Sequence, residues 1–545
     1  MTDAEKKVLD EEVVVESVDV EVGTMEDVDA IMKKFDRESN TRVWEGTPKK
    51  ILRYVLAAFM LFMVYMNLWA TWSGQIRRCL FVGFVILFTF FIYPVKKGNV
   101  KPNSMPWYDI LLAVAGCIPY FYYVANFKRI VAMGIAIGQT EVILGIIGTL
   151  VLAECCRRAV GLPILVVAGC FVLYAFIGRG MSMDLVVYNI FYTTNGIIGT
   201  PISVCSTYIA LFLLFGAFLE ASGCSDFIND IAISLTGKIK SGPALSAVVA
   251  SGLMGSINGS AVANVVGTGT FTIPLMKSRG YKPQFAGGVE AVASTGGQIL
   301  PPVMGSGAFL MVAFTEQKYI AIVIAAVIPA LLYYWGCAVA VMSQTEIAHV
   351  TLMDPKDIPK SREVMKDGWI YLLIIAVLLY CLLVAQYSPL YSALWATCAV
   401  PVVMLFDKKK RFTIKTIPSA MVKSGFSAMS IVIGCACAGI VVGMVSITGI
   451  GVIFGDMMIQ AAHSLLFPSL LFTAITCIVL GMGLPTTAAY VIAASILAPS
   501  LIKLGLAPLT AHLFVFYFAC LSAITPPVAL AAYAGAGIAK TNPMT

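Results

Sequence analysis

The chain has 545 residues, of which 59% are hydrophobic and 12% charged, against the roughly 25% charged content of soluble domains. That balance excludes a soluble enzyme and predicts an all-α polytopic membrane protein whose solvent is the lipid bilayer. The net charge of +7 hides a split, because the first 30 residues carry eleven acids against Lys6 and Lys7; the remaining cations read as topology signals and not as a nucleic-acid surface.

Residues 1–46 read as an acidic cytoplasmic tail, without the apolar core of a cleavable signal peptide, ending in a short surface helix over 31–42. Apolar spans of about 17–25 residues, enough to cross the hydrocarbon core, are expected to begin near Ile51, Cys79, Tyr108, Glu141 and Leu162. They make 47–200 an N-terminal helical region. Residues 184–198 are more amphipathic, with Asn189 and Asn195, and read as an interfacial segment. A helix over 203–222 and a polar segment with Asp226, Asp230, Lys238 and Lys240 open the unit 201–345, which ends in a long span over 319–342. Within 346–415, a polar loop over 346–368 and two spans (369–385 and 389–406) lead to the basic run 407–415. Lys356, Lys360, Arg362 and Lys366 precede this hairpin and residues 408–411 follow it, while the turn 386–391 has no cation; both basic loops are therefore placed in the cytoplasm. Arg77 and Arg78 run against the same rule, since they fall where an extracytoplasmic turn is expected. The last unit, 416–545, is predicted to begin with spans over 426–448 and 467–481.

The two units are related. An offset of 225 residues places Pro274 on Pro499, Gly280 on Gly505, Pro283 on Pro508, Ala286 on Ala511 and Pro301-Pro302-Val303 on Pro526-Pro527-Val528, without a gap; this is the mark of an internal repeat. Proline removes a helix hydrogen bond, and freed backbone in lipid is tolerated only where it meets protein or a watery cavity. The expectation is two inverted repeats, each with a broken-helix hairpin, and such paired interruptions point to a transporter's substrate and ion site. Thr545 falls on Ile320, so the span 319–342 has no counterpart and the second copy is expected to be cut short.

A half-helix N-terminus presents N–H groups and partial positive charge, while unwound carbonyls present hard oxygens, so a carboxylate and Na⁺ can share one site. The oxygen-rich stretches of the first copy are Ser256-Ile257-Asn258-Gly259-Ser260 and Ser294-Thr295-Gly296-Gly297-Gln298. Those of the second are Gly481-Met482-Gly483-Leu484-Pro485-Thr486-Thr487 and Ser522-Ala523-Ile524-Thr525. Small residues also permit close helix packing, but polar clusters at equivalent repeat positions favour function. Glu290 lies between Pro283 and Pro301, and a carboxylate at the bilayer centre costs at least ~2.5 kcal/mol. It needs a partner, either a hydrogen bond to broken backbone or an ion-coupling role. Glu154, near Arg157 and Arg158, and Glu220, near a helix end, read as paired or interfacial charges. The fourteen cysteines read as small packing residues, and His349, His463 and His512 form no metal-ligand pattern. A Walker A motif is absent, and no His or Lys stands beside Ser260 to activate a nucleophile, so neither an ATPase nor a membrane hydrolase is expected. A channel would not require the repeated hairpins.

The stretches AVANVVGTGTFTIPLMK, VEAVASTGGQILPPVMG, GMGLPTTAAYVIAA and HLFVFYFACLSAITPPVALAAYA resemble the membrane component of the TRAP (tripartite ATP-independent periplasmic) transporters, in the form that fuses the small subunit to the DctM-like large one. The resemblance implies an elevator-type secondary transporter of the inner membrane. It further implies Na⁺-driven uptake of an organic acid delivered by a separate periplasmic substrate-binding protein, with Na⁺ as coupling ion and no cofactor. By position it carries Na⁺ coordination onto Ser256, Asn258, Gly296, Ile299 and Pro301, and onto Gly481, Gly483, Thr486, Ile524, Thr525 and Pro526, largely through backbone carbonyls. Ser260, Asn264, Glu290, Ser294, Thr295, Gln298, Thr487 and Ser522 are the candidate substrate or coupling residues beside them. The alternative is a related elevator transporter of organic anions that is proton-coupled or needs no binding protein.

Overall fold

The computed structural model describes Met32 and residues 40–95, 101–348, 350–407, 412–413, 415–463 and 465–544. Apart from Met32, the acidic tail up to residue 39, and with it most of the surface helix expected over 31–42, lies outside the described residues, as does the basic run 408–411. Among the described residues every regular element is helical, and eight helices are long and apolar enough to cross a membrane.

The N-terminal region is built from α1 (Gly46–Leu68), α2 (Gly74–Ile92), α3 (Trp107–Ala125), α4 (Gln139–Ala159) and α5 (Pro163–Gly178), which start where the apolar runs start. A buried charge network ties its beginning to its end. Asp109, fully buried, accepts from Arg42 and is ion-paired with Arg158 (2.8 Å), and Arg158 also meets Glu154 at 2.7 Å. Glu154 additionally holds Arg157 at 2.7 Å, so the pairing expected from spacing is made. Arg78 donates to the Ile198 carbonyl at 3.0 Å. That cation is thus committed to a protein partner. The amphipathic stretch forms a short helix (Met183–Val187, continued by Tyr188–Tyr192) that buries Ile190, Phe191 and Tyr192; Tyr192 donates to the Glu141 carbonyl at 2.6 Å.

The first repeat comprises α6 (Thr200–Ala221), α7 (Cys224–Thr236), α8 (Gly242–Asn258), α9 (Ala261–Ser278), α10 (Pro283–Gly297), α11 (Gly307–Thr315) and α12 (Tyr319–Ile347). Next come α13 (Ser361–Val384) and α14 (Pro389–Met404). Helix α13 opens inside the stretch expected to be a polar loop, because its first turn is polar but still helical. The second repeat has α15 (Thr416–Thr448), α16 (Ile450–Ala461), α17 (Leu466–Gly481), α18 (Thr486–Lys503), α19 (Pro508–Leu521) and α20 (Leu530–Ala539).

The offset of 225 holds in the folded chain. Helix α18 occupies the positions of α9 end to end, Pro283 and Pro508 both stand in the first turn of their helices, and both Pro-Pro bonds are cis. Proline suits that first turn because its missing N–H would have no partner there. Helix α16 was not expected, yet it is the repeat-mate of α7. Gly449, at φ +68°, ends α15 and lets the chain turn into it, as Gly223, at φ +87°, does before α7.

The 33-residue α15 is the shared wall of the molecule. A Cβ on Gly439 would lie 2.5 Å from the Gly196 carbonyl oxygen, and one on Gly443 3.2 Å from that of Asn195. Glycine is thus what lets the turn before α6 lie directly on α15, and the N-terminal region and the second repeat share this surface.

Candidate functional site

The two broken hairpins meet. In the first repeat α8 stops at Asn258, Gly259 turns left-handed at φ +66°, and Ser260 caps α9 by accepting from the Ala263 N–H at 3.3 Å. The chain leaving α10 folds back onto this turn, where the Val303 and Met304 N–H groups both donate to the Ser256 carbonyl at 3.2 Å. Gly259 is required on two counts, since a Cβ there would also lie 2.8 Å from the Met304 carbonyl oxygen. In the second repeat α17 ends at Gly481, Gly483 is left-handed at φ +73°, and α18 starts at Thr486. A Cβ on Gly481 would lie 2.6 Å from Ser522 Oγ, and one on Gly483 3.4 Å from the Val528 side chain.

One side chain joins the two turns. Gln298 Nε2 stands 3.1 Å from the Gly259 carbonyl and 3.1 Å from Thr486 Oγ1, while its Oε1 accepts from the same hydroxyl at 3.3 Å. Ser306, just beyond the first Pro-Pro, bonds to Thr487. Around this junction opens a cavity of about 630 Å³, lined by Asn258, Gly259, Ser260 and Gln298 from one repeat and by Gly483, Thr486, Thr487 and Ser522 from the other. Helices α9 and α18 therefore both begin on the cavity wall, where unpaired N–H groups and the helix dipole favour an anion. Thr486 and Thr487 follow Pro485, which offers no side-chain cap.

The structure brings the candidate ion residues into two groups. Ser256 and Asn258 stand against the segment carrying Gly296, Ile299 and Pro301; Gly481, Gly483 and Thr486 stand against the segment carrying Ser522, Ile524, Thr525 and Pro526. Some of these oxygens are already engaged. The Ser256 carbonyl takes two N–H groups, the Gly296 carbonyl accepts from Ile299 (3.1 Å) and the Gly481 carbonyl from Leu484 (3.1 Å). Thr525 Oγ1 donates to the Leu521 carbonyl at 2.8 Å. Ser260, Gln298, Thr487 and Ser522 line the cavity, whereas Asn264, Glu290, Ser294 and Thr295 are buried inside the first repeat. Of the two readings of Glu290, a bond to broken backbone is not the one made, since its partners are side-chain hydroxyls of α8, α9 and α10.

Residues of α15 that sequence reasoning passed over complete the cavity: Lys423, Ser427 and Ser430. Their spacing of four and three residues puts them on one helix face, a signal that was available. Lys423 also pairs with Glu220 of α6, so that acid has the partner its position suggested.

Comparison with known proteins agrees with this arrangement. A model of the DctM component of tripartite ATP-independent periplasmic transporters matches residues 147–545. The C4-dicarboxylate TRAP transporter large permease protein DctM of Pseudomonas aeruginosa is 25% identical over 325 residues, covering 59% of this chain and 74% of the relative. Its counterpart from Rhodobacter capsulatus is 22% identical over 395 residues, 70% and 87% respectively. The isethionate TRAP transporter permease protein DctMQ of Oleidesulfovibrio alaskensis is 30% identical over 144 residues, 26% and 22%. With a match across well over half its length, an all-helical multi-pass fold and two broken hairpins around one cavity, this chain belongs to the DctM component family of the tripartite ATP-independent periplasmic transporters.

Proposed function

We propose that this chain is a permease of the inner membrane that takes up an organic acid together with Na⁺, the acid being handed over by a periplasmic substrate-binding protein. The observation that carries the reading is the meeting of the two broken turns through Gln298 over a single cavity. The candidate ion residues fit Na⁺ because they offer carbonyl and hydroxyl oxygens, the hard donors such a cation takes, at chain breaks where carbonyls leave the helical ladder. Bound Na⁺ would supply positive charge beside the anion. The chain's own contribution to the acid is the two helix N-termini and Lys423, the one cation among the described residues lining the cavity, where it is paired with Glu220. Relatives named for C4-dicarboxylate and isethionate transport support an acidic substrate, and all three are named as permeases and not as enzymes. The family match begins at residue 147, inside α4, and one relative is named DctMQ; both support reading the N-terminal helices as a counterpart of the small subunit. In an elevator cycle the hairpins move against the wall formed by α15 and the N-terminal region.

Uptake of a labelled organic-acid panel into proteoliposomes tests this reading directly. Accumulation should require both an inward Na⁺ gradient and the cognate binding protein, and accumulation that is indifferent to both would reject it. Orientation has its own test. Lys360 precedes α13 with its side chain 80% exposed, so Lys360→Cys should resist an impermeant thiol reagent in intact cells and react in inverted vesicles. The opposite labelling would invert the topology.

A further inference from the structure

Helix α9 carries Ser260, Asn264, Thr268 and Thr272 at four-residue intervals, which sets them on one face. Ser260 lines the cavity, and the other three are buried. The face ends at Glu290 of α10, whose exposure is 0%. Its Oε1 accepts from Ser251 Oγ of α8 (2.5 Å), Ser294 Oγ (3.2 Å) and Thr268 Oγ1, and its Oε2 accepts from Thr272 Oγ1 (2.5 Å). Among the described residues no Lys, Arg or His partners this carboxyl. From α12 the nearest titratable group is Tyr334, which donates to the Ala293 carbonyl at 2.8 Å. Gly269 of α9 and Ile538 of α20 close the remaining side.

The second repeat shows that packing does not demand this cluster. At the offset of 225, Asn264, Thr268, Thr272, Glu290 and Ser294 become Ala489, Ala493, Leu497, Val515 and Ala519, all buried. The same helices thus assemble with apolar side chains at these positions in one copy and an acid with its hydroxyls in the other. An ionisable side chain inside a membrane without a packing reason marks a functional site.

The hydroxyls can serve two protonation states. Each carries one proton and turns about its C–O bond. Around a carboxylate all four point inward. When Oε2 takes up a proton, the new O–H donates to Thr272 Oγ1, and Thr272 turns its own proton to the Thr268 carbonyl, 3.2 Å away. Thr268 has an alternative acceptor in the Asn264 carbonyl at 2.8 Å. No helix has to move. Between Glu290 and the cavity, Asn264 donates Nδ2 to the Ser251 carbonyl at 2.7 Å, while its Oδ1 is buried without a protein partner. An unused acceptor therefore stands on the route.

We propose that Glu290 is a proton-binding site of the first repeat, exchanging one H⁺ with the central cavity along the Ser260, Asn264 and Thr268 face. One O–H bond forms at Oε2 on uptake and the same bond breaks on release. The site is independent of the Na⁺ reading, and the second repeat has no equivalent.

Infrared difference spectroscopy of the purified full chain in lipid, titrated across pH without substrate, tests the proposal. A carboxylic acid C=O band should grow as pH falls and be missing from Glu290→Gln. Thr272→Val removes a hydrogen bond that is stronger to the charged carboxylate than to the neutral acid, so its band should persist about one pH unit further into the alkaline range. Identical spectra for the parent and Glu290→Gln, or a Glu290 band that ignores pH, would overturn the assignment. If Glu290→Gln does not fold, an unshifted band in Thr272→Val overturns it instead.

Discussion

Gln298→Leu should raise the Na⁺ concentration needed for half-maximal uptake about tenfold or more while leaving the protein folded. The substitution leaves an apolar side chain one atom shorter and deletes the amide that bonds to the Gly259 carbonyl and the Thr486 hydroxyl, each at 3.1 Å. Each such half-buried hydrogen bond contributes about 0.5–1.5 kcal/mol, and 1.4 kcal/mol corresponds to a factor of about ten in affinity. The backbone of Gln298 is untouched, so its carbonyl still accepts from the Gly305 N–H at 2.6 Å and the chain still folds back onto the first turn. Uptake measured against Na⁺ in proteoliposomes, beside a melting curve of the same preparation, separates the two effects. A variant that melts normally and keeps the parental Na⁺ dependence would show that the bridge between the turns is irrelevant to coupling.

A large effect on stability is expected at Gly297. A Cβ there would lie 2.4 Å from Gly255 Cα and 2.8 Å from its carbonyl carbon, and a Cβ on Gly255 would lie 2.7 Å from Gly297 Cα. Backbone faces backbone, so no side chain can swing aside. Gly297→Ala must drive α8 and α10 apart, at about 1–3 kcal/mol for overpacking, and it strains the bonds from Val303 and Met304 to Ser256. Gly288, on the same helix, has open space around its Cβ position. Gly288→Ala should therefore be neutral or gain up to about 1 kcal/mol from helix propensity. Equal melting temperatures for the two variants in nanodiscs would refute the claim that this close crossing is structural.

How much of this was legible follows from how local each signal is. The breaks at Asn258-Gly259 and Gly483 and the starts of α10 and α19 are set by residues within a turn of each other, so the repeat framework could be placed from sequence. Helix α16 was missed because it is short, apolar and joined to α15 through one glycine, so nothing polar announces it. The stripe from Ser260 to Thr272 was readable as a period of four. Its meaning was not, because Ser251 and Ser294 reach Glu290 only through the mutual register of three helices. Likewise Gln298 could be named as a candidate, but its second partner, Thr486, lies 188 residues away and no spacing rule connects them.

Helix α12 has a consequence of a mechanical kind. Its 29 residues span about 44 Å at 1.5 Å per residue, more than the ~30 Å of a typical hydrocarbon core. Exposed Ile324, Ile328, Leu331, Leu332 and Trp335 put one flank of it in direct touch with lipid. A helix longer than its bilayer accommodates by tilting, kinking or thickening the bilayer around it, and Pro329 inside α12 favours a kink. Two rigid phenols pin it to α10, Tyr333 donating to the Val292 carbonyl and Tyr334 to that of Ala293, both at 2.8 Å, and a Cβ on Gly296 would sit 2.3 Å from the Tyr333 ring. A thinner or thicker bilayer therefore acts as a lever on the end of α10, and acyl-chain length becomes a variable of the site itself.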